Sequence, residues 1–125
     1  MPPETPHSEA HHNLPAMASR YIDPDTLPWL PSPFPGIDIK ILMQDPETGM
    51  STALTRFAPG AQLPEHEHVA LEQTYVLEGS LVDAEGEAVA GQYVWRPGGS
   101  IHNAVAPNGA LVLSVFLKPN RFLDV

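Results

Sequence analysis

The stretch from Gly60 to Gly79 reads Gly-Ala-Gln-Leu-Pro-Glu-His-Glu-His-Val-Ala-Leu-Glu-Gln-Thr-Tyr-Val-Leu-Glu-Gly. Within it His66 and His68 are one residue apart, and Glu72 follows four residues after His68. Successive side chains of an extended strand point to opposite faces, so the two imidazoles are predicted to share one face and Glu67 to take the other. Two imidazoles and a nearby carboxylate are ligands suited to one divalent transition metal.

A further ligand is predicted at His102, which lies in a separate segment rich in glycine and proline. The chain has no cysteine, which excludes disulfides, thiolate catalysis and cysteine-ligated zinc. Any metal site must therefore use histidine and carboxylate. Because His102 is distant in sequence from the first pair, only a folded sheet would bring the candidate ligands together.

Length and charge limit the classes of function. The chain has 125 residues, enough for one domain with one core. Its formal net charge is −9, and its six Lys and Arg residues are scattered singly, so nucleic acid is not expected as a partner. No apolar run approaches the roughly 18 residues of a membrane span, and residues 1–20 do not resemble a signal peptide. A cytoplasmic protein that does not bind membranes is expected.

The N-terminal third is rich in proline. Residues 1–20 are predicted to be a flexible tail, and residues 21–125 a single domain. Between Tyr21 and Gly36 the chain stays rich in proline but becomes apolar, with Trp29, Leu30 and Phe34, and the prolines exclude a helix or a central strand. This segment is predicted to be an extended arm, packed along the outside of the domain or across a neighbouring subunit.

The remaining chain is predicted to be all-β. Short β-rich runs are separated by turn residues about every ten residues, which is typical of a sandwich or barrel. The predicted strands are 37–43, 50–58, 73–77, 80–83, 92–95, 101–105 and 110–117, with Gly79 in the turn between the third and the fourth. The aromatic residues Tyr75, Tyr93 and Trp95 are assigned to the core in preference to a pocket lining or a subunit contact.

Taken together, the two histidine-bearing segments resemble the motifs of the cupin superfamily. The first motif is Gly, five residues, His-x-His, three or four residues, Glu, six residues, Gly. All of its positions are matched, by Gly60, His66, His68, Glu72 and Gly79. The resemblance implies a small jelly-roll β-barrel, from about Ile37 to Leu117, that binds one metal in its mouth.

The second motif is Gly, five residues, Pro-x-Gly, two residues, His, three residues, Asn. Gly91, Pro97, Gly99 and His102 match it, whereas Ala106 replaces the final Asn. That Asn is not a metal ligand in the family, so the substitution bears on loop geometry. The flanking segments resemble the subgroup that contains the cupin-like domain of the anti-sigma factor ChrR and dioxygenases that cleave acetylacetone or dihydroxyacetophenone.

The resemblance implies a metal-dependent enzyme, with His66, His68, Glu72 and His102 as metal ligands through which catalysis acts. Fe(II) is the expected metal, and Zn(II), Mn(II), Ni(II) or Cu(II) would also suit these ligands. The implied activity is a non-haem dioxygenase that cleaves a carbon–carbon bond in a small β-diketone or hydroxyaryl ketone. No other cofactor is expected.

Several alternatives stay open at this point. Glu72 is either a direct ligand, which is preferred, or an acceptor that orients a histidine ring. The protein is either the dioxygenase, a non-catalytic zinc-binding sensor module, or a metallo-cupin isomerase, decarboxylase or hydrolase that uses no oxygen. Glu65 and Glu67 are expected to be surface charges. A homodimer or homotetramer is expected, because sheet edges and the apolar arm favour pairing.

Overall fold

The computed structural model describes residues 19–123, so nearly all of the predicted N-terminal tail lies outside the described residues. A short 3-10 helix, Pro24–Thr26, precedes ten strands. The strands are β1 Leu30–Pro31, β2 Ile37–Gln44, β3 Ser51–Phe57, β4 Ala61–Glu67, β5 Glu72–Val82, β6 Glu87–Val89, β7 Tyr93–Arg96, β8 Ile101–Ala106, β9 Ala110–Phe116 and β10 Arg121–Phe122. Within residues 19–123, no helix has the length and apolar character that a membrane span requires.

All strand pairs are antiparallel, and β5 joins two curved layers. In the first layer the strands run in the order β1, β2, β3, β9, β5 and β7. In the second layer β10, β4 and β8 follow one another, and both β8 and β6 pair with the C-terminal part of β5. This arrangement confirms the predicted all-β jelly roll of the cupin type.

Strand β5 is longer than the sequence predicts, because Gly79 lies within it instead of ending it. Gly79 has φ +73°, a conformation that residues with a Cβ rarely adopt. A Cβ at this position would also overlap the carbonyl oxygen of Gly109. The glycine therefore lets the strand continue, next to a register shift between Val76 and Glu78, from one layer into the other.

The apolar core lies between the two layers. Its buried members are Ile37, Phe57, Val76, Ala106, Ala110 and Val112. Phe34 and Leu63 pack against this cluster from the edges. Several polar groups, including Thr74 and Ser114, are buried on the same inner surface, and they lie on the side where the candidate ligands are found.

The proline-rich arm packs along the outside of its own domain. Leu30 and Pro31 pair with Ile39 and Asp38 at the edge of the first layer. The Trp29 ring lies 4.7 Å from Lys40 Nζ and 4.3 Å from Arg56 Cζ, measured to the ring centroid, which are cation–π distances.

The assignment of the aromatic residues to the core is wrong. Tyr75, Tyr93 and Trp95 are 43%, 50% and 63% exposed, on the outer side of the first layer. Alternation along a strand does not show which face is inside when the outer residues are also apolar.

Candidate metal centre

The end of strand β4 places the first histidine pair on the inner surface, with His66 in the strand and His68 just after its last residue, Glu67. His66 and His68 are 1% and 0% exposed, whereas Glu67 lies on the other side and forms an ion pair with Arg121. Glu65 is exposed, as predicted. The expected alternation of the pair is therefore confirmed.

Strand β8 brings the third histidine to the same point. His102 pairs directly with His66 in the β4–β8 register. The ring centroids of the three histidines are 4.6–4.9 Å apart. The candidate ligand atoms of His66, His68 and His102 all lie within 4.8 Å of one another. The fold thus brings together three side chains that could hold one metal ion.

The orientation of His66 is set by its own strand. Its Nδ1 lies 2.8 Å from the carbonyl oxygen of Pro64. A carbonyl only accepts, so Nδ1 must carry the proton and donate it, which leaves Nε2 with a free lone pair. The Phe122 ring, 5.2 Å from the His66 ring, covers this histidine from β10.

The orientation of His102 is set by an acidic residue that sequence analysis did not identify. Nδ1 of His102 lies 2.8 Å from Oδ2 of Asp83, whose side chain is only 2% exposed. The same oxygen also contacts one guanidinium nitrogen of Arg96. The other terminal guanidinium nitrogen of Arg96 lies 3.0 Å from a carboxylate oxygen of the exposed Glu85. Because carboxylate acceptors fix the tautomer of metal-binding histidines, Asp83 leaves Nε2 of His102 available as a ligand.

Asp83 was missed because the sequence shows it only as the last residue of a predicted strand, 80–83, beside a turn. Its Oδ1 does accept hydrogen bonds from the backbone N–H groups of Glu85 and Gly86, as a turn aspartate would. The second oxygen has the separate role at His102. Only the strand pairing of the fold brings the two residues, 19 positions apart, into contact.

His68 is the member of the group that most needs a bound partner. Both of its ring nitrogens are buried without a hydrogen bond. Oε2 of Glu72 lies only 2.6 Å from its Nδ1, but this close contact is poorly directed for a hydrogen bond. A buried imidazole without a well-directed partner is unfavourable in an apo site and is satisfied by a metal ion. The donor set therefore fits a divalent transition metal.

Glu72 is held at the edge of the three-histidine group by a line of buried hydroxyl groups. Thr74 donates a 2.8 Å hydrogen bond to Oε1 of Glu72. This bond uses the hydroxyl proton of Thr74. The Oγ of Ser114 lies 2.8 Å from Oγ1 of Thr74, so the Ser114 hydroxyl must be the donor of the hydrogen bond between them. The structure places Glu72 against His68, outside the group formed by the three histidines. Its direct ligation stays a prediction.

The protonation states of these groups suit metal binding. Burial lowers the pKa of His66 and of His102 below that of an ordinary imidazole, which favours the neutral, ligating form. Burial by itself would raise the pKa of Glu72, but its contacts with His68 and Thr74 outweigh this and leave the pKa lowered. The centre is therefore expected to have neutral imidazoles at His66 and His102 and an ionised carboxylate at Glu72.

A small cavity lies beside the histidines, inside the barrel. Its volume is about 70 Å³, and His66, His102 and Glu72 form part of its wall. The rest of the wall is mainly apolar and includes Phe57, Leu63, Leu81, Val112 and Phe116. On the outside, His102 also borders an open recess of about 320 Å³ next to Glu65 and Glu85.

Comparison with known proteins agrees with the motifs. The model of the ChrR cupin-like domain family matches residues 17–121. Among curated proteins, none matches the chain significantly in sequence.

Solved structures with the same fold include proteins of different character. A protein of Methylibium petroleiphilum PM1, described provisionally as an acetylacetone dioxygenase, is 25% identical, with a TM-score of 0.81 over 86% of this chain and 83% of that one. A cupin-like protein of unknown function from Ralstonia eutropha JMP134 is 30% identical, with a TM-score of 0.72 over 80% and 73% of the two chains. The anti-sigma factor ChrR of Rhodobacter sphaeroides, in complex with SigE, is 24% identical, with a TM-score of 0.64 over 74% of this chain and 49% of that one.

Proposed function

Since the chain belongs to the ChrR cupin-like domain family, we propose that it is a non-haem Fe(II) dioxygenase that cleaves a carbon–carbon bond in a small β-diketone or hydroxyaryl ketone. The observation that carries the proposal is the convergence of His66, His68 and His102 beside an apolar internal cavity. The likeness to the Methylibium protein described as an acetylacetone dioxygenase supports the choice of reaction.

The three imidazoles would hold the metal, and Glu72 is the candidate for a fourth ligand. When bound, Fe(II) supplies Lewis acidity toward a chelating substrate and a redox change that Zn(II) lacks. Three protein ligands leave coordination positions for the two oxygens of a β-diketone. The chemistry therefore needs one dioxygen as co-reactant for each substrate cleaved.

The charge of the centre favours a monoanionic substrate. The negative charge of Asp83 is offset by Arg96, and the lowered pKa values of His66 and His102 keep these imidazoles neutral. A divalent ion together with ionised Glu72 then carries one net positive charge. An enolate formed from a β-diketone by loss of one proton would neutralise it, in surroundings where unpaired charge is costly.

The inner cavity favours small apolar substituents. Its walls carry the side chains of Phe57, Leu63 and Phe116, which exclude water and contact alkyl groups. A volume of about 70 Å³ suits short substituents better than an aromatic ring. Of the two substrate classes, the small β-diketones are therefore the first to test.

The proposal is tested by oxygen uptake with anaerobically Fe(II)-loaded protein, across β-diketones and hydroxyacetophenones. Uptake that requires iron and falls to background in the Zn(II)-loaded protein is expected, with one dioxygen consumed per substrate. The His102→Ala variant should show no uptake, while Asn103→Ala, at the exposed neighbouring position, should retain it. Absence of uptake from protein with a full complement of bound iron would contradict the proposal.

A zinc-holding sensor module is the second candidate function. It is favoured by the complete burial of His68 and by the small volume of the cavity, both of which suit a retained structural ion. ChrR, whose solved structure has the same fold, is an anti-sigma factor. Tight Zn(II) binding without turnover of any diketone would favour this function, and turnover without dioxygen would favour a metallo-cupin isomerase, decarboxylase or hydrolase.

A further inference from the structure

Most polar groups on the wall of the inner cavity are engaged in hydrogen bonds. His66 and His102 are oriented by acceptors that are not part of this wall, and the carboxylate of Glu72 accepts from a line of hydroxyl groups. Two further polar residues belong to the same wall, Thr55 on β3 and Asn120 between β9 and β10. Within residues 19–123, neither of these two side chains makes a hydrogen bond.

Of these two residues, Asn120 is the one that its surroundings do not explain. A threonine such as Thr55 is favoured in strands for its β-branched shape, with or without a use for its hydroxyl. Asparagine is disfavoured in strands and common in turns, where its side chain bonds to the backbone of its own turn. Asp45 and Asp83 make such bonds in their turns, and Asn120 makes none within the described chain. Its two N–H donors and its carbonyl acceptor are therefore available to a ligand.

The alternation of side chains along β10 directs Asn120 toward the metal centre. Arg121, the first residue of β10, points outward and forms an ion pair with Glu67. Phe122 points inward, and its ring centroid lies 5.2 Å from that of His66. Because side chains two residues apart in an extended chain share a face, Asn120 faces the same way as Phe122. This direction agrees with its place on the cavity wall.

The backbone next to Asn120 is held in place on both sides. Before it, the ring of Pro119 fixes the φ angle of the chain. After it, Arg121 donates two hydrogen bonds, of 2.9 and 2.6 Å, to one carboxylate oxygen of Glu67. The N–H of Leu123 then donates to a carbonyl next to the histidines of β4, at 3.3 Å. A ligand that bonds to the amide would therefore have to order only one short side chain.

We propose that Asn120 is a substrate-binding residue, which donates an amide N–H to an oxygen of a small enolate held beside the histidines. This inference rests on the proposed function, which supplies the class of substrate. An enolate oxygen carries negative charge, and hydrogen bonds to charged groups are stronger than those between neutral groups. The rest of the wall is mainly apolar, so a single polar contact of this kind fixes the orientation of the substrate in the cavity.

The first test is calorimetric binding of acetylacetone to the Zn(II)-loaded full chain, where zinc has no redox change and no oxygen chemistry takes place. Asn120→Leu removes the donor and should weaken binding by about 10–100-fold. Asn120→Asp keeps the size of the side chain but turns a carboxylate toward the enolate, so its loss should be at least as large. Lys118→Ala, at an exposed position of the same segment, is the control and should bind as the wild type does.

A role of Asn120 in the fold or in metal binding would change other quantities. Both Asn120 variants should keep the metal content and the circular dichroism of the wild type, because the side chain makes no hydrogen bond to the histidines or to Glu72 in residues 19–123. Loss of metal from either variant would show a role in the metal site instead. Wild-type affinity for acetylacetone in folded, metal-loaded Asn120→Leu or Asn120→Asp would likewise overturn the proposal.

Oxygen uptake by the Fe(II)-loaded protein separates this inference from the proposed function. Asn120→Leu should raise KM for acetylacetone about 10–100-fold and change kcat only a few-fold, because the contact is made to the substrate before and during the reaction. A wild type that binds acetylacetone with zinc but takes up no oxygen with iron would contradict the dioxygenase and leave this inference standing. Uptake with the same KM in the wild type and Asn120→Leu would do the reverse, and a wild type that binds no acetylacetone would contradict both.

Discussion

The two histidine segments build the same centre by different means. On the first, His66 is oriented by the carbonyl of Pro64, two residues away, and His68 contacts Glu72, four residues away. On the second, His102 depends on Asp83, which is 19 residues away in the sequence. The first half of the site is thus organised by local sequence, and the second half by the pairing of distant strands.

The candidate ligands of the two segments also differ in how deeply they are buried. His66 and His68 are almost completely inaccessible, whereas the His102 side chain is 15% exposed and borders an open recess. The first pair is suited to holding the metal in place. At the more exposed His102, the Asp83–Arg96 pair, which the sequence motifs do not include, would adjust the surroundings of a bound metal.

The largest effect is expected from removing the distant ligand itself. His102→Ala should lower the metal content from about one ion per chain to near zero and leave a folded β protein, because two imidazoles form a much weaker site than three. Metal analysis after dialysis, with circular dichroism as the check on folding, measures this. Asn103→Ala is the control and should keep its metal, while retention of metal by His102→Ala would show that the histidine is not a ligand.

A smaller effect is expected from the non-local support of that ligand. Asp83→Asn should weaken metal binding by about 10–100-fold, the usual cost of losing a carboxylate behind a metal-binding histidine. The affinity is measured by competition with a chelator. Asp45→Asn is the matched control, because Asp45 accepts the same kind of turn hydrogen bond from Glu47 without contact to the site. Equal metal affinities of Asp83→Asn and Asp45→Asn would show that the contact with Asp83 does not support His102 as a ligand.

Glu72→Gln tests the local half in the same way. Because the structure places Glu72 against His68, the expected loss of metal affinity is again about 10–100-fold, with Thr74 still able to donate to the amide oxygen. A loss as complete as that of His102→Ala would instead establish the predicted direct ligation. The chelator competition used for Asp83→Asn makes the two losses directly comparable.

The smallest effect is expected from pH in the metal-free protein. The pKa values of His66 and His102 are lowered by burial, so below about pH 6.5 the unfolded chain binds more protons than the folded one. The free energy of unfolding should therefore fall as the pH drops through and below this range. The lowered pKa of Glu72 adds a loss of the same sign below about pH 4.5. Urea unfolding across this range measures the effect, and a free energy that rises on acidification would contradict it.

The sequence was sufficient to predict those features that depend on the spacing of residues. The strand pattern predicted an all-β sandwich or barrel, and the resemblance of the histidine motifs to the cupin family implied the jelly roll and the three histidines as ligands. The motifs do not include Asp83, whose role at His102 arises only when β5 and β8 come together near Val82. The sequence was also insufficient for Tyr75 and Trp95, because a strand that is apolar on both faces does not indicate which of them is buried.

The central claim is that three imidazoles share one metal, and X-ray absorption spectroscopy of the full chain loaded with one equivalent of Zn(II) tests it most directly. Zinc–nitrogen distances of about 2.0–2.1 Å with the multiple scattering of three imidazole rings are predicted. The His102→Ala variant, if it retains any zinc, should show two. A wild-type spectrum that requires two imidazoles or fewer would contradict the account.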